Sequence, residues 1–143
     1  MIKMTAKEYL QQAYRLDEMI NSGLKRLDHL KDLASNVSDS NFSDMPLNGA
    51  RNTDPPFVRC IPKIIDLEHK IDDEIDRLVD LKNEITARLE AVPNADYKLL
   101  LTSRYLNFET WESIAEIMQF SVQWVHELHK RALKNFGEIY GLT

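Results

Sequence analysis

The chain has 143 residues, 43% hydrophobic and 29% charged, and a formal net charge of −5. That length buries one modest core or two small ones, and with only four Gly and five Pro the composition suits a soluble, helix-rich protein. No apolar run approaches a membrane span, the N-terminus has no apolar signal core, and the single cysteine, Cys60, excludes an internal disulfide or a cysteine-based zinc site, so a cytoplasmic protein with no membrane partner is expected.

Residues 4–34 read as one long helix. Thr5 is an N-cap with Glu8 three residues on, the capping-box spacing. Ile2, Ala6, Tyr9, Ala13, Leu16, Ile20, Gly23, Leu27, Leu30 and Ala34 repeat in steps of four and three, and Leu10 and Leu24 widen the seam. Such a seam packs against another helix. Gly23 within it either weakens the helix or admits a partner backbone.

Residues 35–57 are dominated by Ser, Asn, Asp, Pro and Gly, which predicts a mobile linker. A second long helix follows from about Pro62 to Val92, with Pro62 in its first turn. Its stripe is Ile64, Leu67 or Glu68, Ile71, Ile75, Leu78, Leu81 or Lys82, Ile85, Leu89 and Val92. Asp66, Asp72, Asp73, Asp76 and Asp80 lie on its outer face. Consecutive acids on a helix diverge, so Asp72-Asp73-Glu74 reads as a solvated face, not a metal site.

Pro93 stops that helix, and Asn94 or Asp96 caps a third over roughly 95–106. Leu99, Leu100 or Leu101, and Leu106 are its core candidates. Thr110 then caps a helix with Ile114, Ala115 and Met118 on its apolar face. Gln119-Phe120-Ser121 is a short break. Ser121 caps a last helix that buries Val125, Leu128, Ala132 or Leu133, and Phe136. Small Ala115 sits where two helices cross closely, with apolar plugs around it. This is the pattern of a helix-turn-helix whose second helix enters a DNA major groove. Gln119 stands where such turns usually carry a left-handed Gly.

The expected fold is therefore all-α. A long antiparallel helical hairpin occupies 1–92, with the linker at about 35–57. A three-helix helix-turn-helix DNA-binding module occupies 93–143.

Residues 99–136 resemble region 4 of sigma-70-type RNA polymerase sigma factors, through Leu100 to Leu106, Thr110 to Glu116 and Arg131 to Lys134. They are more similar still to sigma-like regulators of phages and mobile elements of Gram-positive bacteria. The shared signature here reads Tyr105-Leu106, Thr110-Trp111-Glu112-Ser113-Ile114-Ala115 and Leu128-His129-Lys130-Arg131-Ala132-Leu133. The resemblance implies transcriptional regulation through promoter DNA, RNA polymerase, or both. Val122, Gln123 and Trp124 depart from the basic or polar residues usual at the start of that reading helix.

With Val125 and Leu128 turned inward, positions 122, 123, 126, 127 and 130 face out. Gln123 suits adenine, Glu127 suits cytosine N4, and Val122 suits a thymine methyl. His126 suits a base or a phosphate. Ser121 and the helix N-terminus suit a phosphate, as do Lys130, Arg131 and Lys134. A surface ion pair of Glu127 with Lys130 or Arg131 is the plainer alternative. Trp111 reads as core, and Trp124 as core or interface packing.

The charge is uneven. Residues 58–92 hold nine acids against six bases, whereas 121–136 hold Lys130, Arg131 and Lys134 against Glu127 alone. DNA affinity comes largely from phosphate neutralisation, so a lone copy is expected to bind weakly. A homodimer through the hairpin or a larger complex would supply the remainder. His126 and His129 lie three apart but lack a third ligand, so no metal is expected. No nucleophile set, phosphate loop or carboxylate pair can be picked out. No catalytic residue or cofactor is expected, and a non-enzymatic protein-interaction adaptor is the competing function.

Overall fold

The computed structural model describes residues 4–40 and 56–143. It is all-α: α1 Ala6–Ser40, α2 Pro56–Glu90, α3 Ala95–Tyr105, α4 Trp111–Met118 and α5 Val122–Tyr140. No strand occurs among the described residues, and no helix among them is long and apolar enough to cross a membrane. Two compact units divide the chain differently from a boundary at 92/93. One is Met1–Asp17 with Arg77–Thr143; the other is Glu18–Asp76.

The first unit gathers the start of α1, the end of α2 and all of α3 to α5 around one core. Ala6, Tyr9, Leu10 and Ala13 of α1 join Ile85 and Leu89 of α2, Leu100 and Leu101 of α3, Ile114 of α4, and Val125, Ala132 and Phe136 of α5. Phe136 is fully buried. Its ring stacks on Tyr9 at 6.0 Å between centroids and tilts against Tyr140 at 4.8 Å. The Arg88 guanidinium lies over both tyrosines, at 4.9 and 5.2 Å, and the Tyr140 hydroxyl donates to the Arg88 carbonyl at 2.5 Å. A small three-helix cluster has too little interior of its own; here the two long helices supply the rest of it.

The chain closes on itself at this point. Gly141 adopts the left-handed conformation that ends α5. The Leu142 N–H then reaches the Gly137 carbonyl at 2.7 Å, and the Ala6 N–H donates to the Thr143 carbonyl at 3.1 Å. A Cβ on Gly137 would stand 2.6 Å from the Leu142 carbonyl oxygen, so this fold-back requires glycine there. At the other end of the first turn of α1, Thr5 Oγ1 accepts from the Glu8 N–H at 3.1 Å, as its capping position predicts.

The second unit is built from the remainder of α1 and α2. Ile20, Gly23, Leu27, Leu67 and Ile71 are buried. Gly23 is where the close approach occurs: an added Cβ would meet Ile71 Cγ1 at 3.1 Å. Lys31 reaches Glu68 at 3.6 Å, an exposed pair of small energetic weight.

The heptad seam of α1 holds from Ala6 to Leu27, with Leu30 and Ala34 half-buried; Ile2 lies outside the described residues. Leu24 is exposed and does not widen it. On α2 the stripe turns one position. Glu74 is buried and Ile75 is exposed. A step of three or of four from Ile71 both fit a period of 3.6. Glu74 lines a shallow cleft together with Gly23, Arg26 and Lys70.

Both ends of the segment expected as a linker, 35–40 and 56–57, are helical. α1 continues through Ser40 and α2 begins at Pro56; 41–55 lie outside the described residues. Ser, Asn and Asp are only mild helix breakers, and no Gly or Pro interrupts 35–40. The expectation that Pro62 opens α2 also fails. Pro56 takes the first-turn position, where no intrahelical N–H bond is lost, and Pro62 stands inside the helix at the cost of one such bond.

Because Phe136 joins α5 to α1, Phe136→Ala is expected to destabilise the fold by about 3–5 kcal/mol. Urea unfolding followed by circular dichroism reads this directly; a loss below ~1 kcal/mol would place the centre of the core elsewhere.

Candidate nucleic-acid interface

α4 and α5 are set by three local devices. Thr110 Oγ1 accepts from the Ser113 N–H at 3.1 Å and starts α4. Gln119 ends it in the left-handed region, with φ 58° and ψ 42°, and the Phe120 N–H closes onto the Ala115 carbonyl at 3.0 Å. Ser121 Oγ then accepts from the Trp124 N–H at 3.1 Å and starts α5. Three residues thus reverse the chain around the buried side chain of Ala115. Gln119 holds a conformation that glycine takes without a Cβ penalty.

Burial fixes which side of α5 is free. Val125, Leu128, His129, Ala132 and Phe136 are sealed. Gln123, His126, Glu127 and Lys130 are exposed at steps of three, one and three, which is one helix face. Ser121 is exposed at its N-terminal end; its oxygen is committed to the cap, leaving the hydroxyl proton for a phosphate. Val122, expected to face out with Gln123 and His126, is half-buried and packs against the core. The first turn of α5 leans onto α4, which outward counting from Val125 does not reveal.

Glu127 and Arg131 form an i,i+4 ion pair at 3.6 Å. The Arg131 guanidinium also lies 5.2 Å from the Trp124 ring centre. Trp124 is exposed, which removes the core half of the core-or-interface expectation; Arg131 lies over one face of its ring. Lys134 stands apart from the others. It borders a cleft with Thr5, Lys7, Gly137 and Thr143, roughly 18 Å along the axis from the start of α5.

Behind the exposed face lies a polar-aromatic cluster. The Tyr105 hydroxyl and His129 Nε2 are 2.6 Å apart. Burial pushes the Tyr105 phenol up to about 12, against the lowering effect of Arg104. Burial also lowers His129 to about 4, helped by the positive charges of Lys7, Arg104 and His126. Both groups are therefore neutral near pH 7. The phenol donates, Nε2 accepts, and the ring proton sits on Nδ1. Trp111 is half-buried rather than core. Its ring lies 4.6 Å from His129 and 4.7 Å from His126, and the Arg104 guanidinium lies 4.2 Å from it. Trp111 thus lies against both histidines, and among the described residues no group of three or more His, Cys, Asp and Glu is placed to hold an ion.

The sequence weighs His129 only as a metal ligand beside His126 and does not reveal its hydrogen-bond partner. Tyr105 comes from α3, and no local spacing links it to a residue 24 positions later. The i+4 step from Val125 to His129 was the available signal for burial.

No family model, curated protein or solved structure matches the chain.

Two outcomes follow from this geometry. Gln119→Gly is expected to stabilise the fold by about 0.5–1 kcal/mol, the left-handed penalty less the entropy of an added glycine; a destabilised variant in thermal melts would show that Gln119 makes contacts that outweigh its backbone strain. For His129 the folded value of about 4 lies below the ordinary 6.5, so between these the unfolded chain binds the extra proton. Its contribution is fully present above pH 6.5, declines as pH falls, and is gone by about pH 4. The urea midpoint of the native protein should therefore drop more steeply from pH 7 to pH 4.5 than that of His129→Leu, and parallel profiles would refute a buried neutral imidazole.

Proposed function

We propose that this protein is a transcription regulator of the sigma region 4-like kind found in phages and mobile elements, binding promoter DNA in the major groove with α5. In this reading α4 and α5 are the helix-turn-helix, and α1 with α2 is the antiparallel hairpin that carries it. The observation that supports it is the division of α5. Gln123, His126, Glu127 and Lys130 line one open face directly after a capped, tightly turned entry, while Val125, Leu128 and His129 anchor the opposite face. Gln123 pairs with adenine, His126 and Lys130 flank it, and Arg131 reaches a phosphate once it leaves Glu127. Three cations on α5 in a chain of net charge −5 supply little phosphate neutralisation. RNA polymerase, or a second copy of the chain, is the proposed source of the missing affinity.

An adaptor role is the second reading. Ile61 and Ile65, one helical turn apart, are both exposed on α2, and a partner helix that covered them would bury apolar surface. In that case the full chain binds no duplex even at low salt.

The reading is tested with duplexes selected from a random pool. Binding should weaken with salt, and the combined variant Gln123→Ala, His126→Ala, Lys130→Ala, Arg131→Ala should abolish selection. Loss of the two cations alone should reduce the log–log salt slope by about 2. Unchanged binding in the combined variant would remove α5 from the interface.

A further inference from the structure

A second site lies in the same unit, away from the open face of α5. α3 ends at Tyr105, and the chain folds back: the Asn107 N–H donates to the Thr102 carbonyl, and the Glu109 N–H to the Ser103 carbonyl. Arg104 Nη1 clamps the return by donating to the Glu109 carbonyl at 2.9 Å. Between these anchors Phe108 takes φ 56°, a conformation that costs a bulky side chain free energy. What the turn achieves is the position of the ring. Phe108 meets Tyr14 edge-on at 5.5 Å and 77°, with the Lys82 ammonium 4.7 Å from its centre.

The result is a cleft of about 280 Å³ walled by Gln11, Tyr14, Arg104, Tyr105, Phe108 and Thr110. Although the protein carries a net charge of −5, none of these six side chains is acidic. Arg104 is the one charge on the wall. One of its five N–H donors goes to Glu109 and one face of its plane to Trp111; the other edge has donors for an anion. Tyr14, 48% exposed, offers a ring to the cleft without being part of the core.

We propose that this cleft binds a small aromatic carboxylate, its carboxylate on the Arg104 guanidinium and its ring against Tyr14 and Phe108. A guanidinium edge matches a carboxylate with two parallel hydrogen bonds. Two rings set edge-on accept a third in a tilted or edge contact. The volume lies at the small end of ligand pockets, a size that suits one ring and its acid group. The site does not depend on α5 reading DNA. It does connect to that helix, because Arg104 rests on Trp111, which touches His126; a carboxylate that draws on Arg104 alters the surroundings of Trp111.

The full chain carrying Trp124→Phe, which leaves Trp111 as its single indole, is titrated with phenylacetate, phenylacetamide and cyclohexylacetate. Phenylacetate should change Trp111 emission saturably, with a dissociation constant on the order of 1 mM or tighter for so small a ligand. Phenylacetamide, lacking the charge, and cyclohexylacetate, lacking the ring, should each bind at least about fivefold more weakly, as loss of a charge-assisted bond or a ring contact requires. Arg104→Gln should abolish the response. Tyr14→Ser, at an exposed position, should weaken it while leaving the melting temperature unchanged, so that loss of binding is separable from loss of fold. No saturable response up to about 10 mM, beyond any useful small-ligand affinity, overturns the proposal. So does equal binding of all three probes, or binding indifferent to both variants.

Discussion

The stacking of Phe136 on Tyr9 is the contact on which the first compact unit depends. It ties the last helix to the first across almost the whole sequence. Around it, Leu10, Ile85 and Leu89 bring α1 and α2 into the same interior as Leu100, Ile114 and Val125. Three short helices of the size of α3, α4 and α5 expose too much of their own interior to be stable alone. The long helices therefore complete a core for them, and Arg88 laid over Tyr9 and Tyr140 seals its edge.

That interior also decides what α5 shows to the outside. A helix of 3.6 residues per turn can be rotated by one position with little change in its apolar count. Here Phe136 fixes the rotation at one end and the Tyr105–His129 hydrogen bond fixes it near the other. With both in place, Gln123, His126 and Lys130 have no choice but to face out. Burial keeps the His129 imidazole neutral under that face, and Lys130, Arg131 and Lys134 stand exposed at the surface of α5.

Electrostatics and packing pull the proposed function in the same direction. The open face is polar, with Lys130 and Arg131 against Glu127, while α2 carries nine of the chain's 23 acids. A surface of that kind positions a contact more than it generates affinity. An Arg–Glu pair on the same helix holds Arg131 over Trp124 when no phosphate is present. The Arg104–Trp111–His126 stack runs behind this surface to the cleft at Phe108. One cationic side chain therefore borders both the cleft and the support of α5.

The sequence by itself determined the all-α class, the seam of α1 from Ala6 to Leu27, and the devices that bound α4 and α5. Thr110, Gln119 and Ser121 act through their own hydroxyls and backbone angles, so their roles are written locally. The tertiary structure alone decided four other matters. It chose Glu74 over Ile75, because both spacings satisfy a helical period and only packing against a neighbouring helix can distinguish them. It turned Val122 inward and left Trp124 outside, because the crossing of α4 and α5 sets that first turn. It extended α1 and α2 past the expected ends, because mild helix breakers yield to a helix already under way. And it joined His129 to Tyr105 and Phe108 to Tyr14, contacts between distant residues that no periodicity encodes.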